Sequence, residues 1–394
     1  MEKIAYLDNN ATTCVAPEVF AVMEPFFREM YGNPSSMHAF GGRVAKFVKR
    51  AREEVAAFIN CSPDEIVFTS CATESDNTAI FGAAEALGPG ARIITTAVEH
   101  PAVLQPCRRL KARGADVLEL PVDGVGQIDT DALREELKRS PNALVTAMWA
   151  NNETGTVFPV EEIAAICREH GAVFHTDAVQ AAGKARIDVS KVPVDMLSMS
   201  GHKFHAPKGI GILYVRKGAK FRPFMLGGHQ ESGRRAGTEN VPYIVGLAKA
   251  CELARLGMDR ENVRIAALRD RLESGILAAC PDVLVNGDRS HRLCNTLNVS
   301  FKYIEGEAIA YHLSDLGICI STGSACASGS LDPSHVIRAM GVPFVAVHGS
   351  VRFSLSRYTT DADIDYVLEK LPPVIANLRA LSPFGPQSDP TTFK

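Results

Sequence analysis

The 394-residue chain contains no C-x-x-C pair, a single tryptophan and no uninterrupted run of about 18 apolar residues, and these absences narrow its function. Ten cysteines stand at positions 14, 61, 71, 107, 167, 251, 280, 294, 319 and 326, and the closest two, Cys319 and Cys326, are seven apart. Structural zinc and thioredoxin-like redox chemistry therefore have no motif, no metal site is expected, and a chain this long needs no disulfide staples. Most of the cysteines are expected to be small buried side chains in a reducing cytoplasm. Without a long apolar run, and with Glu2, Lys3, Asp8, Asn9 and Asn10 near the start, neither a membrane span nor a secretion signal is expected. Lys plus Arg number 42 against 45 Asp plus Glu, a net charge of −3, so no basic excess points to nucleic acid. Phosphate-loop NTPase and dinucleotide-binding readings also fail, because neither G-x-x-x-x-G-K-[ST] nor a strand-following G-x-G-x-x-G is present.

What is present is an ordinary soluble composition, 46% hydrophobic and 22% charged. At roughly 150 residues per domain the length predicts two or three domains. Between residues 60 and 216, short β-branched runs alternate with amphipathic helical patterns. Strands are predicted at Glu65 to Thr69, Arg92 to Val98, Ala143 to Trp149, Ala172 to Thr176, Val194 to Met199 and Ile210 to Val215. Helices are predicted at Ser75 to Leu87, Pro101 to Arg113 and Val160 to His170. This alternation predicts an α/β fold, a mainly parallel sheet with helices on both faces, whose ligand chemistry gathers at the carboxyl ends of the strands. From about residue 258 a long helical pattern, Arg260 to Ala279, precedes strand-like Thr296 to Phe301, Gly317 to Ser321 and Ser350 to Leu355, the texture of a smaller α+β domain. The basic stretch from Arg43 reads as a solvated helix face, since Glu53 and Glu54 follow at once.

Two segments carry chemistry. Ser200-Gly-His-Lys-Phe-His-Ala-Pro-Lys-Gly209 sets a lysine among histidines and a serine just past a predicted strand end. Phe174-His-Thr-Asp-Ala-Val-Gln180 places an acid directly after another strand. Taken alone, Lys203 reads as a solvated lysine and Asp177 as a helix cap. Together they match pyridoxal phosphate, which needs a lysine for its Schiff base and a carboxylate to keep the pyridine nitrogen protonated.

The chain resembles the cysteine desulfurases of the nitrogen-fixation type, within the class-V pyridoxal-phosphate aminotransferases. The resemblance runs in order through Tyr6-Leu-Asp-Asn-Asn-Ala-Thr-Thr13, Gly32-Asn-Pro-Ser-Ser-Met-His38, Thr69-Ser-Cys-Ala-Thr-Glu-Ser75, Glu99-His-Pro101, Trp149-Ala-Asn-Asn-Glu-Thr-Gly155, the Asp177 and Lys203 segments, Gly227-Gly-His-Gln230, Gly233-Arg-Arg-Ala-Gly-Thr-Glu-Asn240, Ser324-Ala-Cys326 and Val351-Arg-Phe-Ser354. It implies the aspartate-aminotransferase-like fold type I. Residues 15–257 would form the large cofactor-binding domain, residues 1–14 with 258–380 the small domain carrying the cysteine loop, and 381–394 a tail.

The resemblance also implies roles. Ala72 and Thr73, opening a helix, would bind the cofactor phosphate with Ser200 and His202, as expected of a helix N-terminus. Thr238 would reach the phosphate of the other subunit, which implies a homodimer. His100 would stack on the ring and serve in proton transfer; Gln180 would bond its phenolic oxygen; Asn152 would be shared between that oxygen and the substrate; Arg352 would clamp the substrate carboxylate. Cys326 sits in Ser321-Thr-Gly-Ser-Ala-Cys-Ala-Ser-Gly-Ser330, a Gly/Ser/Ala composition that describes a flexible, exposed loop and suits a reactive thiolate. In the family this cysteine accepts the sulfur of L-cysteine and passes it to an iron–sulfur scaffold protein, where it would transiently contact a nascent cluster. The commoner loop S-S-G-S-A-C-T differs here at Thr322 and Ala327, which bears on loop rate rather than reaction type. A housekeeping-type desulfurase, a selenocysteine lyase and, from another class, an idle assembly scaffold are the alternative readings.

Overall fold

The structure is a computed structural model that describes residues 4–140, 142–322 and 332–385. Its centre is a seven-stranded sheet built from β2 (Ile66–Thr69), β3 (Arg92–Thr96), β4 (Asp116–Leu120), β5 (Ala143–Thr146), β6 (Val173–Asp177), β7 (Met196–Ser200) and β8 (Gly211–Val215), in the order β2-β8-β7-β6-β5-β3-β4. Only β8 opposes its neighbours; it pairs antiparallel with both β2 and β7, so the other six strands run one way. The expected mainly parallel sheet is what forms.

Alternate residues of these strands enter two different cores, as the period-2 geometry of a strand requires. Ile66, Phe68, Ile94, Val145, Phe174, Leu197, Ile212 and Tyr214 point to one face, packed under α1 (Pro17–Met23), α2 (Pro25–Arg28), α3 (Ala39–Ile59), α7 (Val160–His170) and the first half of α8 (Val241–Ala279). Val67, Ile93, Leu144, Val173, Met196 and Leu213 point to the other, under α4 (Ala72–Leu87) and α5 (Pro101–Ala112). Helix α6 (Thr130–Arg139) buries Leu133 and Leu137 and is capped by the Asp129 carboxylate on two backbone N–H groups.

A third core gathers the rest. It unites a four-stranded antiparallel sheet of β9 (Val283–Asn286), β10 (Thr296–Phe301), β12 (Ser321–Thr322) and β13 (Ser350–Ser354) with α9 (Gly306–Asp315), α12 (Asp361–Leu381) and the second half of α8. Helices α10 (His335–Ala339) and α11 (Phe344–Val347) bury Val336, Ile337 and Val347 in the first of the large-sheet cores. The N-terminal strand β1 (Ala5–Tyr6) pairs with β11 (Ile318–Cys319) and adds Ala5 and Leu7 to the third core. Helix α8 thus joins two of the cores, with Ile244 and Leu247 in the first and Ile265, Leu272 and Ile276 in the third.

Two expectations need adjusting. Among the nine described cysteines, Cys107, Cys167, Cys251 and Cys280 are buried, four are half-buried and Cys14 is exposed, so burial is less general than expected. In α3, Lys46, Lys49 and Arg50 are solvated, but Arg52 turns inward onto the buried Glu231. Among the described residues, no helix is long and apolar enough to cross a membrane.

Candidate active site

The carboxyl ends of β2, β3, β5, β6 and β7 all open on one edge of the large sheet, and the loops leaving them line a cavity of about 320 Å³. Two residues separate the end of β2 from the start of α4, with Cys71 extended at its N-cap and Ala72 and Thr73 in the first turn, presenting backbone N–H groups to the cavity. Gly211 permits this approach, because a Cβ there would stand 2.6 Å from Met199 O and 2.8 Å from the Cys71 carbonyl carbon. The acid of that first turn, Glu74, is drawn away by Arg235 at 2.8 and 3.2 Å. Burial alone pushes Glu74 up, but hydrogen bonds from Arg235 and Ser70 outweigh it and hold its carboxyl below the ordinary value.

Lys203 ends a one-turn 3-10 helix directly after β7. Its Nζ donates to Asn10 O at 2.7 Å and Ala11 O at 2.9 Å, so the amine is aimed before any ligand arrives. Asp177, the last residue of β6, is 6% exposed and accepts from Val179 N at 2.9 Å. Burial lifts its pKa, while that N–H and the Lys203 charge oppose the rise and favour the carboxylate. Beneath it lies the buried Asp76, 3.6 Å from His175 Nε2; burial, then the Asp177 charge, push Asp76 well above the carboxylate range. His175 is held down to about 3 by burial and is neutral.

His100 caps α5, its Nδ1 accepting from Ala102 N at 3.1 Å. That bond assigns the ring proton to Nε2. Burial first, then Lys203 and His335, lower its pKa to about 4, so the ring is uncharged. Gln180 Nε2 donates to Asn10 O at 3.0 Å, and His202 Nδ1 meets Thr12 Oγ1 at 3.1 Å. Across the cavity Arg352, on β13, donates from Nη1 to Asn152 O at 2.9 Å and from Nη2 to Asp8 Oδ1 at 2.8 Å. Of five N–H donors, two are engaged in these bonds, and the guanidinium is held rigid at the cavity wall.

Lys203, His100, Asp177, Gln180, Asn152, Ala72, Thr73, Ser200, His202 and Arg352 therefore line one cavity. Thr238 does not; it is exposed, three residues beyond the Arg235 that pins its segment to α4. Cys326 lies outside the described residues.

A class-V aminotransferase family model matches residues 5–367. The chain belongs to that family. It is 58% identical over 381 residues to the cysteine desulfurase of Trichormus azollae, covering 97% of this chain and 95% of that one. It is 54% identical over 390 residues to the cysteine desulfurase NifS of Azotobacter vinelandii, covering 98% and 97%. Among solved structures, a NifS-like protein superposes with a TM-score of 0.90 at 40% identity over 95% of this chain and all of the other. SspA in complex with cysteine superposes at 0.78 and 36% identity, over 90% and 99%.

As a class-V aminotransferase the protein is a pyridoxal-phosphate enzyme, and the cavity suits that cofactor. It offers an amine, a buried carboxylate and a helix N-terminus around a volume within the usual range for small-ligand sites, about 300 Å³ and upward. Sequence reasoning missed Asn10, the hub of the site. Its carbonyl takes Lys203 and Gln180, its Nδ2 donates to Thr296 Oγ1 and Asn152 O, and its Oδ1 accepts from Asn295. Asp8 and Asp76 were missed as well. The only signal for Asn10 and Asp8 was their place in the Tyr6 to Thr13 segment.

Proposed function

We propose that this class-V aminotransferase is a cysteine desulfurase that converts L-cysteine to L-alanine, leaving a persulfide on Cys326 for an iron–sulfur scaffold protein in cluster assembly, including nitrogenase maturation. The observation that carries the reading is the meeting of Lys203, Asp177 and the neutral His100 with Arg352 around one cavity. The relatives named cysteine desulfurase at 54–58% identity support the substrate.

When bound, pyridoxal phosphate supplies an electron sink for charge developing at the substrate Cα. Asp177 would hold the ring nitrogen, Gln180 and Asn152 the phenolic oxygen, and Ala72, Thr73, Ser200 and His202 the phosphate. Lys203 Nζ anchors the cofactor and afterwards takes the Cα proton. His100, uncharged with its proton on Nε2, is equipped to stack and to pass a proton without adding a buried charge. Arg352 receives the substrate carboxylate on the donors left free by Asp8 and Asn152. The Cys326 thiolate attacks the substrate sulfur; an S–S bond forms, the C–S bond breaks, and its electron pair stays with the carbon fragment, which is protonated and leaves as L-alanine. β12, which precedes the Cys326 segment, sets Ser321 opposite Arg352 on β13, and this supports delivery of the cysteine to the substrate end.

The exposed Thr238, with Met225 and the 80% exposed Leu226 shortly before it, supports a homodimer in which Thr238 completes the partner's phosphate site. A reducing cytoplasm suits the persulfide. The test is Cys326→Ala, which keeps cofactor absorbance and loses sulfide production; full turnover by that variant contradicts the assignment. A pull-down that recovers only tRNA-thiolation proteins contradicts the scaffold acceptor.

A further inference from the structure

Two polar side chains at the start of α10 reach back toward the cavity, and the mechanism above gives neither of them work. Ser334 is the N-cap of that helix: its Oγ accepts from Val336 N at 3.1 Å and Ile337 N at 3.4 Å, and its own proton goes to Glu153 Oε2 at 2.5 Å. His335 Nε2 bonds the Glu99 carbonyl oxygen at 2.9 Å, and since a carbonyl only accepts, that nitrogen carries the ring proton. Each partner is the chain neighbour of a residue that lines the cavity. Glu99 precedes His100, and Glu153 follows Asn152, whose carbonyl holds Arg352 Nη1 at 2.9 Å.

The same two turns are joined a second time. Asn151 Nδ2 donates to Val98 O at 3.0 Å, while Asn151 Oδ1 accepts from Glu153 N at 2.9 Å. Met148 N adds a bond to Glu99 Oε1 at 2.9 Å. Hydrogen bonds and chain neighbours therefore form a closed ring through Glu99, Val98, Asn151, Glu153, Ser334 and His335. Glu99, Asn151, Glu153 and Ser334 are each at most 6% exposed, so water does not cheaply replace a partner lost from the ring. Val336 and Ile337, buried in the large-sheet core, hold α10 itself in place when one of these bonds is cut.

We propose that Ser334 and His335 are positioning residues that close this ring and so fix His100, on one turn, against Asn152 and Arg352 on the other. A shift of about 1 Å between such groups costs up to about a hundredfold in rate. The kinetic part of the inference rests on the roles given above to His100 and Arg352. The test compares His335→Leu and Ser334→Ala with His335→Gln, whose amide N–H stands in for that of Nε2. In cofactor-free protein, hydrogen exchange read by mass spectrometry is expected to quicken about tenfold in residues 98–103 and 148–155 of the Leu and Ala variants, with the rest of the chain and His335→Gln near wild type. In the holoenzyme, kcat/KM for L-cysteine is expected to fall about tenfold in both, chiefly through kcat in His335→Leu and through KM in Ser334→Ala, and His335→Gln is expected to recover it. Unchanged exchange in both turns, a rise spread over the whole chain, wild-type kcat/KM in both variants, or a loss in His335→Gln equal to that in His335→Leu overturns the proposal. If the wild-type holoenzyme does not consume L-cysteine, the functional reading fails, while exchange in the cofactor-free protein still decides whether α10 closes the ring. If His335→Leu does not fold, Ser334→Ala carries both measurements.

Discussion

Arg352 and Arg52 each meet one carboxylate, but the two pairs are built in opposite ways. Arg52 gives both terminal nitrogens to Glu231, at 2.6 and 2.8 Å, gives Nη1 also to Ile66 O at 2.8 Å, and lies 4.6 Å over the Phe68 ring. There the carboxylate is hidden, at 3% exposure, and the arginine is the wetter partner at 19%. At Arg352 the arginine is hidden, at 6%, and Asp8 is the wetter partner at 21%. Arg352 spends one nitrogen on Asp8, and its Nε has no hydrogen-bond partner among the described residues. A fork closed bidentate on one buried carboxylate is a structural device: Glu231 and Ser232 sit at φ 48° and 58°, a left-handed stretch costly for residues with a Cβ, and the Arg52 pair holds it in place. An unsaturated fork at a cavity wall is a binding device, since its remaining donors await a ligand.

Breaking each pair separates the two roles. Arg352→Met removes a hidden, hydrogen-bonded charge from the substrate end, and kcat/KM for L-cysteine is expected to fall about a hundredfold or more. Steady-state kinetics on the folded variant checks this, and a loss under tenfold would move the carboxylate clamp elsewhere. Arg52→Met leaves Glu231 buried without its partner and is expected to cost about 3 kcal/mol of unfolding free energy. Denaturant unfolding is the measurement; equal stability to wild type would remove the distinction drawn here. Asp8→Asn keeps a hydrogen bond to Arg352 but loses the charge that steadies it, so KM is expected to rise by a few-fold, about 1 kcal/mol, with kcat held.

The last effect is one of pH. Glu99, buried beside His100, is raised to about 8 by burial, with the Asp177 charge adding and hydrogen bonds from Met148 N and Thr96 opposing. The folded chain keeps a proton here that the unfolded chain releases near 4.5. Its contribution to stability is therefore complete below that pH and is lost as the pH rises to about 8. Glu99→Gln should flatten the fall in stability over this window, as measured by unfolding at pH 5, 6.5 and 8, and an unchanged slope would show that Glu99 is ionised in the folded state.

How much of this was legible in the sequence follows from distance along the chain. Asp177 and Lys203 each stand at or within a few residues of a strand end, so a strand-by-strand reading finds them together with the edge they share, whereas His100 and Thr73 were singled out by the family resemblance. Asn10 and Asp8 come from the N-terminal arm and act on residues about 190 and 340 positions away, where no local pattern can point. The direction of β8 was illegible because alternation reports burial and not polarity. Helix α8 was seen only from Arg260 because its first half is packed on both sides by α1 and α3 and loses a clear polar stripe. Buried acids such as Asp76, Glu99 and Glu153 look like solvated ones until the fold encloses them.

The most direct test of the central claim is to supply L-cysteine and a thiol reductant to the purified holoenzyme and quantify the products together. Equimolar sulfide and L-alanine are predicted. Pyruvate and ammonia in place of alanine, or no product at all, would contradict the account.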